Sequence, residues 1–205
     1  MHVKTIAIII LITLAIVITP KPVMASPDTY YLEDGDVLTT EKPSDPYTII
    51  SIPREGTYNN TWFSSSISGD ISAGTYNFIF WMNASASGVR VDVTFTFRYY
   101  YEDKYYQIVT VTGINIDLSR NVASYILSGS GSQTSIPEGS RLYLNVFIKN
   151  NHPAQSAYFY YSGNTYSTRI ETPSIIVPEF PMGVFLLLPM LLTLYLILRR
   201  CLPKP

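Results

Sequence analysis

Apolar and polar residues alternate without a break from Val89 to Tyr99, reading Val-Arg-Val-Asp-Val-Thr-Phe-Thr-Phe-Arg-Tyr. A period of two places one set on each face of an extended chain, so this stretch predicts a strand with core on one side and water on the other. The polar turn Glu102-Asp103-Lys104 leads into a second strand over 105–112, which predicts a hairpin. Another alternating run at 142–148 follows a turn at Pro137-Glu138-Gly139, and a third occupies 75–81. Shorter strands fit 47–52, 124–128 and 157–161, and no stretch of helical period interrupts them. Between Ser128 and Ser132 the Ser-Gly alternation reads as a flexible loop. Tyr, Thr, Val, Ile and Phe supply the strand material, and Gly, Pro, Ser and Asn supply the turns. Seven or eight short strands of this kind predict an all-β fold, an antiparallel β-sandwich or jelly roll, over 26–176.

The two ends depart from this pattern. Lys4 precedes an apolar run over 5–19, and Pro20 and Pro22 end any helix there. Val23-Met24-Ala25 then offers residues that suit a signal peptidase, so 1–25 reads as an export signal cleaved between Ala25 and Ser26. The run falls short of the roughly 20 apolar residues that span a bilayer, and an uncleaved anchor is the alternative. At the other end the whole stretch from Phe180 to Leu198 carries no charge. As a helix it extends about 28 Å, close to the hydrocarbon thickness. The sequence therefore predicts a transmembrane helix over 182–198 with a basic cytoplasmic tail over 199–205, holding Arg199, Arg200 and Lys204. Pro189 is tolerable inside such a span, and Cys201 beyond it reads as a free thiol. Both ends predict the same topology, with the β domain outside the cell.

Just ahead of the span, over 177–181, stand Pro178, Glu179, Phe180 and Pro181. With the hydrophobic stretch and short basic tail that follow, this motif resembles the PEF-CTERM type of archaeal sorting signal. The resemblance covers only the stretch from Val177 to Pro205, and Pro189 lies deeper in the helix than the second proline often found in the family. It implies a membrane transpeptidase of the archaeosortase class as partner, cutting near the motif. The residues alone also allow a stiff spacer, because proline on both sides of Glu179-Phe180 holds the chain extended.

Charge and composition narrow the functional classes. The segment 26–177 carries 14 acidic and 9 basic residues, a net −5, which argues against nucleic acid as a partner. It holds no cysteine, so a disulfide and the usual zinc sites are excluded there. His152 is its only histidine and sits in Asn150-Asn151-His152-Pro153, which reads as a turn rather than as the base of a catalytic triad. Glu33-Asp34-Gly35-Asp36 offers carboxylates to calcium but matches no complete calcium loop, and reads first as an acidic glycine turn. Nothing singles out a pair of carboxylates for glycoside hydrolysis. No catalytic residue, metal or cofactor is predicted.

Aromatic runs are the most suggestive surface feature. In Tyr99-Tyr100-Tyr101 and Tyr158-Phe159-Tyr160-Tyr161 successive rings must point to opposite faces of a sheet, so about half lie outside the core. Tyr100 and Tyr160 are the candidate binding-face residues, against the plainer reading that such rings stiffen the sheet by cross-strand pairing. Asn59 and Asn83 open N-glycosylation sequons, Asn-Asn-Thr and Asn-Ala-Ser. The order Trp62, then Ile71 to Tyr76, the long alternating strand, and the Pro137-Glu138-Gly139 turn before Leu142 resembles galactose-binding-like jelly-roll modules. The expectation is a non-enzymatic, membrane-anchored surface protein with a structural or adhesive ectodomain, meeting a glycan or a neighbouring surface protein. The alternative is an envelope-tethered carbohydrate-binding or hydrolytic domain.

Overall fold

The computed structural model describes residues 27–44 and 46–176. Ala25, Ser26, the export segment, the motif Pro178 to Pro181, the 182–198 helix and Cys201 lie outside the described residues. Among the described residues the structure is all-β, with no helix and eleven strands. They are β1 (Pro27–Glu33), β2 (Val37–Thr39), β3 (Thr48–Ile52), β4 (Thr57–Ile71), β5 (Gly74–Ala84), β6 (Arg90–Tyr101), β7 (Lys104–Asp117), β8 (Ala123–Gly131), β9 (Thr134–Asn150), β10 (Ala157–Tyr161) and β11 (Arg169–Ile176).

The strands form two facing layers. In one, β8 pairs with one edge of β5, while β10 and β11 follow each other along its other edge. β3 then lies outside β10, and β1 and β2 lie outside β11. The second layer runs β4-β9-β6-β7, antiparallel throughout. β11 also pairs with β4, and β2 meets β4 in a short parallel contact, so the layers join along one margin.

Alternation decides what lies between the layers. Phe78 and Phe80 of β5 meet Phe95 of β6 at ring distances of 4.9 and 5.3 Å, and Tyr76 meets Phe97 at 6.1 Å. Towards the other margin Trp62 of β4 meets Tyr161 of β10 edge to face at 5.2 Å. Val91, Val93, Leu142, Leu144, Val146 and Ile148 complete this interior, all fully buried. Burial on this scale, at roughly 1.5–3 kcal/mol per large side chain, is what holds a domain without disulfides together.

Two local expectations are corrected, and one strand goes unpredicted. The Ser-Gly patch at 128–131 is the end of β8, paired residue by residue with β5. Its glycines are needed because neighbours crowd the backbone: a Cβ on Gly129 would stand 2.4 Å from Val111 Cγ2, and one on Gly131 2.5 Å from the Tyr76 ring. Pro137-Glu138-Gly139 is a bulge within the long β9 rather than a turn before it, since Gly69 pairs with Ile136 while Ile67 pairs with Ser140. Ser140 Oγ donates to Pro137 O at 2.7 Å across it, and a bulge is where a strand accommodates proline. The long β4, rich in Ser and Asn, is a strand that alternation does not predict.

Candidate functional site: two aromatic clusters on outward faces

The inward side of β10 carries Phe159 and Tyr161, so Tyr160 points outward. On β6 the inward side carries Phe95 and Phe97, and Tyr100 points outward from the other layer. The two candidate tyrosines thus belong to different clusters on different sheets.

Around Tyr160 the register sets Ile49 of β3 and Trp81 of β5 on either side. Tyr166 caps the group, meeting Tyr47 at 4.9 Å, Tyr160 at 5.3 Å and Trp81 at 5.4 Å. The connection after β10 is tied down to deliver that ring: Thr168 Oγ1 donates to Tyr160 O at 2.7 Å, and Asp34 N donates to Ser162 Oγ at 3.1 Å. Gly163 permits the approach, because a Cβ there would lie 2.7 Å from Tyr47 Cα. Tyr160 is only 7% exposed, and its hydroxyl donates to Asn83 Oδ1 at 3.0 Å. Burial, seconded by Tyr47 and Tyr166, raises its pKa. Even the Trp81 indole N–H is enclosed, with no acceptor. The hub of this cluster is sealed, with Tyr160 and the Trp81 N–H covered, while Tyr47 and Ile49 at its rim are 39% and 47% exposed.

Around Tyr100 the arrangement is open. Tyr105 of β7 and Tyr143 of β9 are its neighbours at 5.0 and 5.8 Å, and Phe63 of β4 lies 6.0 Å beyond Tyr143. Four adjacent strands therefore contribute one ring each. Tyr105 is 55% exposed and Phe63 38% exposed. The rings are not coplanar: Tyr105 stands at 89° to Tyr143 and 51° to Tyr100, which makes a shallow cradle. Arg98 lies over Tyr105 with its guanidinium carbon 5.0 Å from the ring centre. Tyr100 Oη donates to Asp103 Oδ1 at 2.7 Å in the β6–β7 turn, and that bond chiefly raises its pKa.

The remaining predicted positions are scattered. Asn59 is exposed on β4, where its Oδ1 accepts from Asn145 Nδ2 at 2.8 Å and its own amide nitrogen makes no hydrogen bond among the described residues. Asn83 instead uses both ends of its amide, donating to Arg120 O at 3.0 Å and accepting from Tyr160. His152 Nδ1 accepts from the backbone of Ala154 and Gln155 at 3.2 and 3.0 Å, inside a turn held by the buried Asn150. Asp34 and Asp36 form the β1–β2 turn, with Gly35 and Asp36 at positive φ. Their carboxylates accept from Thr48 at 2.7 Å and Asn60 at 2.6 Å. Among the described residues no three His, Cys, Asp or Glu side chains converge.

Sequence reasoning had no means to find Phe63, Tyr105 and Tyr143 as partners of Tyr100. Alternation over 142–148 implied the outward direction of Tyr143, but the pairing of β9 with β6, far apart in the chain, is a property of the fold.

No family model matches the chain, and no curated protein does. Solved structures do share its fold. An aminopeptidase from a marine sediment archaeon (Thaumarchaeota archaeon) is 11% identical with a TM-score of 0.54, over 74% of this chain and 37% of that one. A CocE/NonD family hydrolase from Staphylococcus aureus is 12% identical with a TM-score of 0.50, over 75% and 37%. This chain thus spans little more than a third of the length of these proteins, and at such identity the likeness is one of fold alone. A CBM4 module, at 12% identity over 72% of this chain and 80% of that one, reaches a TM-score of only 0.33, too low for any argument.

Proposed function

We propose that this is a non-enzymatic, membrane-anchored cell-surface protein whose β-sandwich adheres to glycans through the open face of Tyr100, Tyr105 and Tyr143. The single observation behind the reading is that four adjacent strands bring aromatic rings to one outward face and leave Tyr105 more than half exposed. Exposed aromatic rings gathered in one place mark recognition surfaces, since their apolar faces are costly to leave in water. The sealed cluster at Tyr160 supports the sheet instead.

Anchoring and export follow from the two terminal segments. The signal is removed after Ala25, and 182–198 crosses the membrane with Arg199 and Arg200 inside. Pro178, Glu179, Phe180 and Pro181 form a processing site for an archaeosortase-type enzyme. Asn59, with a free amide nitrogen, is the glycosylated asparagine, while Asn83 is occupied by its own hydrogen bonds.

A glycan array probed with the full-length chain in detergent tests the binding reading. Binding to at least one saccharide class, lost in Tyr105→Ala and retained in Tyr166→Phe, is the expected result. An array with no binding, or binding unaffected by Tyr105→Ala, would overturn it in favour of a purely structural module.

A further inference from the structure

The open cluster is distinguished from the sealed one by its arginines. Elsewhere on the outward faces Arg90 leans on Asp117 at 2.8 Å and Arg169 on Glu171 at 3.2 Å. Arg98 and Arg141, like Arg54 and Arg120, have no such partner among the described residues, but only Arg98 and Arg141 stand beside exposed rings. The Arg98 side chain makes no hydrogen bond or ion pair among the described residues, and its Nε is enclosed without an acceptor. Its guanidinium lies over the face of Tyr105.

Register makes the pattern regular. Arg98 of β6 pairs with Tyr143 of β9, and Tyr100 pairs with Arg141 two positions on. Tyrosine and arginine therefore occupy the corners of a checkerboard, with the two arginines on its diagonal, about 7–8 Å apart at the backbone. Tyr105, opposite Tyr100 on β7, adds the exposed ring.

We propose that this checkerboard takes an acidic polysaccharide whose sugar rings carry carboxylates, a polyuronate. This deepens the glycan reading above and rests on it. A guanidinium fork matches a carboxylate with two parallel N–H donors, and a tyrosine face beside it supports the apolar side of a pyranose ring. Arg98 already lies over Tyr105, so the donor group is held partly in place by cation–π attraction before any ligand arrives.

The surroundings oppose any polyanion at long range, so binding of this class rests on the arginines themselves. Glu102 and Asp103 stand in the β6–β7 turn at the edge of the cluster with Lys104 beside them, and Asp103 is engaged by the Tyr100 hydroxyl. The domain as a whole is acidic. Long-range repulsion therefore opposes indiscriminate polyanion binding, and a polyanion that binds does so through short-range matching at this face.

The test uses the full-length chain in detergent, with binding to polygalacturonate measured by calorimetry. Two control polymers accompany it: the methyl-esterified form, which keeps the rings and masks the charge, and poly-glutamate, which keeps carboxylates and lacks the rings. Polygalacturonate should bind, and both controls should bind at least tenfold more weakly. Arg98→Gln should weaken binding about tenfold, with Arg98→Lys in between because it keeps the charge and loses the fork. Arg141→Gln, at an exposed position, tests the same point without touching packing.

Equal binding of the esterified polymer, with Arg98→Gln and Arg141→Gln silent, would overturn the acidic class. The glycan reading would then stand if Tyr105→Ala still abolished binding. Poly-glutamate binding as tightly as polygalacturonate would also overturn the proposal, by showing a site that reads charge without the ring. If no polymer binds, the acidic class fails, and the glycan array decides separately whether the broader reading fails with it.

Discussion

Two aromatic clusters of similar make-up sit on the outward faces of the two sheets, and each has a tyrosine at its hub. Tyr166 touches Tyr47, Tyr160 and Trp81, while Tyr105 touches Tyr100, Tyr143 and Arg98. The difference lies in the backbone that delivers the hub. Tyr166 comes from a connection pinned to β10 and to the β1–β2 turn, and it closes over the rings beneath. Tyr105 comes from the first positions of β7, beside a tight turn in which Glu102 and Asp103 both adopt positive φ; the Arg98 side chain lies over its ring, and it stays 55% exposed. The same residue type therefore gives a small outer core in one place and an accessible surface in the other.

The largest effect is expected where both clusters share support. Phe95 packs between the layers against Phe78 and Phe80. Truncating such a residue costs about 3–5 kcal/mol, and Phe95→Asp adds a buried, unpaired charge, so the domain should unfold and both clusters should vanish together. Thr94 is one position away but outward, bonded to Thr112 Oγ1 at 3.1 Å on the same face as Tyr100. Thr94→Asp should cost no more than about 1 kcal/mol. Urea denaturation of the two variants reads the difference, and equal losses would mean that β6 is not a boundary between core and water.

The second prediction separates the hubs. Tyr166→Ala should lower stability by about 2 kcal/mol, since three ring contacts of about 0.5–1.5 kcal/mol each and their burial are lost. Tyr105→Ala removes as many contacts from a mostly exposed side chain and should cost less than about 1 kcal/mol. Thermal melts of the two proteins provide the comparison. If Tyr105→Ala proved the costlier change, the open cluster would be structural and the sealed one would need another explanation.

How far the sequence reached follows from the same contrast. β6 and the latter half of β9, with strict apolar alternation, were legible because their inward positions are Phe, Val, Leu and Ile, and β5 was legible as a short, nearly unbroken run of aromatic and apolar residues. β4 was not, because its inward face includes Asn60 and Ser64, polar residues satisfied only in the fold. Asn60 donates to Asp36 at 2.6 Å, and Ser64 Oγ accepts from Leu142 N at 2.9 Å. β8 ends in glycines required by Val111 and Tyr76, neighbours on other strands, so its Ser-Gly stretch resembled a linker. For the site, the outward direction of Tyr100 and Tyr160 was readable from alternation. Which of them is covered was not, since it depends on where the 162–168 connection comes to rest.

The smallest effect concerns the tyrosine hydroxyls, and it distinguishes the clusters by the cause of one shared property. Both Tyr100 and Tyr160 ionise above the ordinary phenol value of 10.0, Tyr100 chiefly through its hydrogen bond to Asp103 and Tyr160 chiefly through burial. Asp103→Asn removes the carboxylate that holds the Tyr100 proton, so Tyr100 should titrate closer to the ordinary value while Tyr160 stays where it was. Tyr166→Ala should do the reverse, admitting water to Tyr160 and leaving Tyr100 unchanged. Resonances of tyrosines labelled at the ring carbon bearing the hydroxyl, followed from neutral into strongly alkaline solution, resolve each residue. In stability terms the sign is common to both: a group whose folded pKa is raised contributes fully below the unfolded value and loses that contribution as pH climbs through the folded one. Tyr30, raised furthest by burial, together with the half-buried Tyr58 and the buried Tyr76, each pushed up to about 12 chiefly by desolvation, extend that loss above about 10 and set the alkaline limit of the domain. Asp103→Asn should therefore move the Tyr100 resonance without moving the alkaline unfolding midpoint. A shift of that midpoint would place Asp103 in the support of the fold and narrow the contrast between the open cluster and the sealed one.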